Sequence, residues 1–167
     1  LDCPICDQAG DCKLQEFAHQ YGQETSRFFE TKNEKPKQKP LSAKIMMDNE
    51  RCVLCTRCVR FAQDVIGTPV LGILNRGGRN LISTYPGTEF EHNYSLNAVD
   101  LCPVGALTSR DFRFRMRSWF LKETPSICPN CATGCNIVLH TREKQIYRLK
   151  PRENDEVNAA WMCDFGR

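Results

Sequence analysis

Apolar positions in this chain come in short bursts whose spacing changes from segment to segment. Leu14, Phe17, Ala18 and Tyr21 follow i, i+3, i+4, i+7 spacing, which predicts a short amphipathic helix over 11–21. Residues 30–40 are polar, carry a run of lysines and include Pro36 and Pro40, so they read as a solvated linker. Apolar residues return at 44–48 as an expected strand. Val59, Ala62, Gln63 and Ile66 then predict a helix of about two to three turns that Gly67 stops. Two short strands are expected near 70–74 and 80–85, with Arg76-Gly77-Gly78-Arg79 turning between them, followed by a short helix near 95–101.

Residues 112–117 alternate apolar and basic with period two, which predicts a strand with one buried face and one wet face. A sharper reading has Arg113, Arg115 and Arg117 meeting an acidic partner. Further on, 137–139 and 146–148 predict a hairpin that turns at Arg142-Glu143-Lys144-Gln145. These elements add up to an α+β chain of small modules in series, and none is large enough to carry a sizeable core alone.

Composition narrows the function. The formal charge of +3 counts all 11 cysteines as neutral, so metal-bound thiolates would cancel the basic excess, which is no argument for nucleic acid as a partner. No apolar run is long enough to cross a bilayer, and no signal peptide is legible. The chain opens at Leu1 without a methionine and stops at Arg167, four residues after the last cysteine, as expected for the middle of a longer polypeptide. An odd number of cysteines, many of them in CxxC pairs, argues against a disulfide framework and for reduced thiols in a cytosol-facing compartment.

Every cysteine falls into a ligand pattern. The first set is Cys3-x2-Cys6-x5-Cys12, and the second is Cys52-x2-Cys55-x2-Cys58, closed by Cys102-Pro103. The third is Cys128-x2-Cys131-x3-Cys135, closed by Cys163. Two-cluster bacterial ferredoxins carry a C-x2-C-x2-C-x3-C-P run twice, and the fourth cysteine of each run serves the other cluster. On that template Cys52, Cys55, Cys58 and Cys102 are the complete ligand set of one 4Fe–4S cluster. Ala62, His92, Ser95 and Ala98 occupy the complete set of the other. One cluster is kept whole and one erased whole. A four-cysteine zinc site is the competing reading, but zinc sites favour two CxxC knuckles. His92, alone on an erased position, reads as a surface or packing residue. The first set supplies three sulfurs, and two candidates remain for a fourth ligand: His19, or a residue upstream of Leu1.

The run Leu1-Asp2-Cys3-Pro4-x-Cys6-Asp7-x2-Gly10-x-Cys12-x-Leu14-Gln15 resembles the three-cysteine, one-histidine cluster site in the large iron–sulfur subunit of respiratory complex I. The blocks from Arg51 to Phe61 and from Asn97 to Thr108 are similar to the same family, and the resemblance covers essentially the whole chain. It implies a histidine ligand two positions before Leu1. Cys128, Cys131, Cys135 and Cys163 resemble the 4Fe–4S module of molybdopterin oxidoreductases, a cluster that mitochondrial members have generally lost, so the resemblance implies a bacterial-type protein. Phe165 stands where the molybdenum enzymes carry a lysine after the last cysteine, which speaks against a working molybdenum site.

The resemblance therefore implies three modules. Residues 1–40 form part of the three-cysteine-plus-histidine site and its linker, 41–120 a ferredoxin-like single-cluster domain, and 121–167 the start of a molybdopterin-oxidoreductase-type domain. It implies three 4Fe–4S clusters, the first without its upstream histidine in this chain, and no catalytic residue of its own. The expected task is electron relay from NADH and flavin toward quinone beside other hydrophilic-arm subunits, flavin-bearing and cluster-bearing, at the cytoplasmic face of a bacterial inner membrane. The third cluster is expected off the main route. Rival readings are the iron–sulfur region of an NAD-linked formate dehydrogenase, a soluble-hydrogenase diaphorase subunit, and a structural zinc-binding interaction module.

Overall fold

The structure, a computed structural model, describes residues 3, 6–23 and 25–167. Leu1, Asp2, Pro4 and Ile5 of the first-site motif lie outside the described residues, as does Glu24. The expected first helix is present as α1 (Lys13–Tyr21), which starts directly after Cys12. Its apolar stripe meets little: Leu14 packs on the central core, whereas Phe17 and Tyr21 are exposed.

The linker is only partly a free tether. Its second half lies along the central module, with Pro36 O accepting from Asn49 N at 3.2 Å and Lys37 pairing with Glu50 at 2.6 Å. It ends in β1 (Lys39–Pro40), which pairs antiparallel with β2 (Ile45–Met47). The expected helix after Cys58 forms as α2 (Arg57–Arg60), continued by a π-type turn over Phe61–Val65. The wider turn swings Phe61 inward beside Ala62, and Gly67 at φ +75° ends the segment. The hairpin of β3 (Leu71–Leu74) and β4 (Leu81–Thr84) follows, then α3 (Asn97–Leu101).

After α3 and Cys102 comes β5 (Leu107–Ser109), which the pattern did not reveal and which pairs with β2. Strand order β1-β2-β5, with α2 and α3 against it, encloses the main core around Leu41, Ile45, Met47, Phe61, Phe90 and Leu107. The third module is a three-stranded antiparallel sheet in the order β6 (Lys122–Ile127), β7 (Asn136–Arg142), β8 (Gln145–Pro151). The hairpin was legible, but β6 was not: it is polar and carries Pro125, which an edge strand tolerates because it pairs on one side only. The turn itself is just Glu143 and Lys144, both in the left-handed region at φ 51° and 67°.

The expected strand over 112–117 does not form. Residues 110–115 are a chain of turns, and Phe114 adopts φ 62°, which breaks the alternation of faces. Arg113 and Arg117 are half-buried within the chain, and Arg117 Nη1 donates to Cys6 O at 2.6 Å. The period-two pattern thus hid a clamp on the first cysteine loop, and two of the three arginines read as partner-facing point inward.

His140 gives the third module a pH response. It is buried in β7, where Arg148 Nε donates to its Nδ1 at 3.4 Å and Glu123 lies 3.6 Å from Nε2. Burial, then the positive charges of Arg148 and Lys150, push its pKa down from 6.5 to about 4. The folded ring stays neutral while the unfolded one takes up a proton. Stability is therefore unaffected above the unfolded value and falls as pH drops from 6.5 through about 4, by up to about 3 kcal/mol. Denaturant midpoints measured across this window should show that slope, and His140→Gln should remove its share. Identical slopes in the two proteins would place the sensitivity elsewhere.

Candidate metal centres

Cys52, Cys55, Cys58 and Cys102 line one small cavity with Met47 and Ile82. Two elements bring them there. The loop from Cys52 to Cys58 is forced back on itself by Leu54 and Thr56, both in the left-handed region at φ 53° and 62°. Cys102 caps the end of α3, which packs against α2. The backbone arms the site with donors: Leu54 N lies 3.4 Å from Cys52 Sγ, and the N–H groups of Val104, Leu107 and Ala106 favour the Cys102 thiolate. Burial, together with the charges of Cys102, Cys52 and Cys55, pushes the Cys58 thiol up to about 12. Four mutually repelling thiolates lining one cavity, with Cys58 buried and Cys52 and Cys102 half-buried, are tolerable only around a strongly positive group.

Among the described residues no group of three or more His, Cys, Asp or Glu side chains is arranged to hold a single metal ion. The four cysteines line one cavity, and their spacing, three within seven residues plus one followed by proline, fits a many-iron cluster better than the paired CxxC knuckles of a zinc site. The erased positions behave differently. Ala62, Ser95 and Ala98 are completely buried, while His92 lies on the surface, where its Nδ1 accepts from Tyr94 N at 3.1 Å.

The first set sits against the central module. A Cβ placed on Gly105 would stand 2.1 Å from Cys6 Sγ and 2.9 Å from Gln8 Cβ, so only a glycine lets the loop approach this closely. Gly105 follows Cys102 by three residues, and the two sites therefore abut. Arg117 and Ser118 donate to the carbonyls of Cys6 and Ala9, while Arg148 of β8 pairs with Asp11 at 2.7 Å. Burial alone would raise Asp11, but Lys150 and Arg148 outweigh it and hold the carboxyl below its usual range. Burial raises the neighbouring Asp7 in spite of Arg117 and Arg113. His19 is exposed in the last turn of α1, about 10 Å along the helix from Cys12.

In the third set, Cys128 N donates to Cys135 O at 2.8 Å, which closes the loop between β6 and β7. Burial raises Cys135, and so do the charges of Cys131, Cys128 and Cys163, which places all four thiols within one another's field. Gly166 lies where a Cβ would meet the sulfurs of Cys128 and Cys163 at 3.2 and 3.5 Å. Gly105, Asp11 and Arg148 went unnoticed as site residues in the sequence, and Arg117 was noticed only as a residue that could face a partner. Of the first three, only Gly105 left a trace, as a small residue just beyond a cluster-type cysteine–proline pair.

Three family models match this chain in series. They are the NADH–ubiquinone oxidoreductase-G iron–sulfur binding region over residues 1–27, the ferredoxin-like domain of NADH–quinone oxidoreductase subunit 3 over 42–108, and the molybdopterin oxidoreductase Fe4S4 domain over 121–167. Among curated proteins, the NADH–quinone oxidoreductase G subunit of Streptomyces coelicolor is 42% identical over all of this chain and 20% of its own length. The NADH–ubiquinone oxidoreductase 75 kDa subunit of Reclinomonas americana is 47% identical, with 24% of its length covered, and the mitochondrial 78 kDa subunit of Neurospora crassa is 46% identical, with 23% covered. The chain thus spans about a fifth to a quarter of the length of these relatives. Among solved structures, an NAD+-reducing [NiFe]-hydrogenase in its H2-reduced state matches with TM-score 0.58 and 29% identity, over 70% of this chain and 51% of that one. Sequence, fold and thiol arrangement agree: the chain belongs to the family of the NADH–quinone oxidoreductase G subunit, whose iron–sulfur-binding region it represents.

Proposed function

We propose that this chain is the electron-relay section of an NADH–quinone oxidoreductase subunit, passing electrons singly on their way from NADH and flavin toward quinone. The ligand assignment is Cys3, Cys6 and Cys12 with an upstream histidine for the first 4Fe–4S cluster and Cys52, Cys55, Cys58 and Cys102 for the second. Cys128, Cys131, Cys135 and Cys163 are assigned to the third. Each cluster, when bound, takes up and releases one electron, and no residue of this chain makes or breaks a substrate bond. The residues themselves hold the sulfurs, keep water from Cys58 and Cys102, and aim backbone N–H groups at the thiolates, which tunes each potential.

The observation that carries the reading is the abutment of the first and central sites, with Cys6 Sγ pressed against Gly105 three residues after Cys102. A relay needs neighbouring centres, and a structural metal module does not. The modules divide at about 40 and 120, the partners are the flavin-bearing and cluster-bearing subunits of the same hydrophilic arm, and the location is the cytoplasmic face of a bacterial inner membrane. Among the described residues no helix is long and apolar enough to cross a membrane. Metal and sulfide analysis of the purified complex, followed by NADH reduction under EPR, tests the proposal. Iron with inorganic sulfide and NADH-reducible signals are expected, and zinc without sulfide would overturn it.

A further inference from the structure

The erased cluster positions are not left open. Asp164 Oδ2 accepts from Ser95 Oγ at 2.7 Å, Oδ1 accepts from Leu96 N at 2.9 Å, and Asp164 N donates to Asn93 O at 2.6 Å. Asn97 grips the same segment from below: its Nδ2 donates to Met162 O at 2.8 Å, and its Oδ1 accepts from Met162 N at 3.1 Å and from Arg167 Nη2 at 2.8 Å. Arg167 also pairs with Asp100 at 2.6 Å, and Lys44 approaches Asp164 at 3.4 Å. Trp161 packs against the main core with its ring 5.0 Å from that of Phe61, the neighbour of Ala62. The segment 161–167 therefore lies against 95–97 and beside Phe61, next to three of the four positions that carry the second ligand set in the two-cluster template, Ala62, Ser95 and Ala98, while His92 stays on the surface.

This segment carries Cys163. The third module's own buried cluster, among the described residues, is only Cys128, Ile137 and Met162, too small to fix a distant segment by itself. Asn97 and Ser95 are themselves almost completely buried, and Asn97 uses both ends of its amide on the segment. We infer that the place of the erased cluster serves as a socket for 161–167, and that Ser95, Asn97 and Asp164 are positioning residues for the third cluster through Cys163. The inference rests on the assignment of Cys163 as a ligand. It ties a site in the last module to α3, whose other end carries Cys102, so the Cys163 side of the third site is held by the central domain as well as by its own module.

The test uses the assembled complex, with the EPR signal of the central cluster as internal standard. Cys131→Ser should remove one signal while NADH-driven quinone reduction largely survives; if no signal depends on Cys131, the ligand assignment itself fails. Given that signal, Asn97→Ala should lower iron retention at the third site against a chelator roughly 10- to 100-fold, as loss of groups orienting ligands does elsewhere, and should shift the signal's midpoint. Asn97→Asp keeps the acceptor for Met162 N and Arg167, so it should recover part of the loss. Should Asn97→Ala cost the central signal as well, Asp164→Ala decides, because it cuts the same tie from the other side. A third-cluster signal unchanged in retention and midpoint in Asn97→Ala, or in Asp164→Ala where that variant decides, overturns the socket.

Discussion

Cys58→Ser is expected to abolish the central cluster's signal and, with it, NADH-driven quinone reduction, which should fall to background. The size of the effect follows from where this sulfur sits. Cys58 is the buried member of its set and packs in the main core with Phe61, Ala62 and Leu107. Without metal, burial and its three companion thiols push its pKa to about 12, so the ionised sulfur exists only through the charge of bound iron. A serine there cannot supply a thiolate, and its buried hydroxyl adds a cost of about 1–3 kcal/mol if it finds no partner. The cluster also ties the loop after Asn49 to the end of α3, as a structural metal would, so the domain should unfold earlier and less cooperatively. The measurements are EPR of the reduced complex, quinone-reductase rate and thermal unfolding. Turnover preserved in the absence of the central signal would take this cluster off the main route.

The sequence carried the chemistry more legibly than the architecture, for a physical reason. Ligand spacing is local: a three-cysteine loop must bend around its cluster, so Cys52, Cys55 and Cys58 announce themselves. Even the meeting of Cys102 with them in one cavity was readable, because the crossing rule of two-cluster ferredoxins pairs it with that loop. Strong periodic signals also held, as in α1 and the β7–β8 hairpin. The failures share one cause, which is that tertiary contacts override local pattern. Phe-Arg alternation over 112–117 looks like a strand, yet the arginines are drawn to Cys6 O and toward Asp7, and Phe114 turns left-handed to allow it. β6 is too polar to read as a strand and exists because β7 offers it a full edge. Of the residues that join modules, Asn97 and Asp164 have no local pattern at all, and Gly105 has only its place just beyond Cys102-Pro103. Their meaning lies in partners far along the chain.

Gly105→Ala should disconnect the first centre from the second while leaving the second intact. The added methyl would fall 2.1 Å from Cys6 Sγ and 2.9 Å from Gln8 Cβ, well inside contact distance. A cysteine side chain is short, and one bound to a cluster cannot swing aside, so either the loop moves away or the ligand geometry breaks. Overpacking of this kind costs about 1–3 kcal/mol, a strain that falls on the first cluster, because the other wall is the rigid turn between Cys102 and β5. The expected result is a weakened or shifted first-cluster signal, faster loss of its iron to chelators, and a large drop in quinone reduction with the central signal unchanged. Gly87→Ala is the control: its backbone is left-handed at φ +78°, but the methyl meets nothing within 4 Å, so it should cost about 1–2 kcal/mol of stability and leave the relay alone. If Gly105→Ala behaves like Gly87→Ala, with full first-cluster signal and full turnover, the two centres do not meet at this glycine, and the relay must enter the central module by another face.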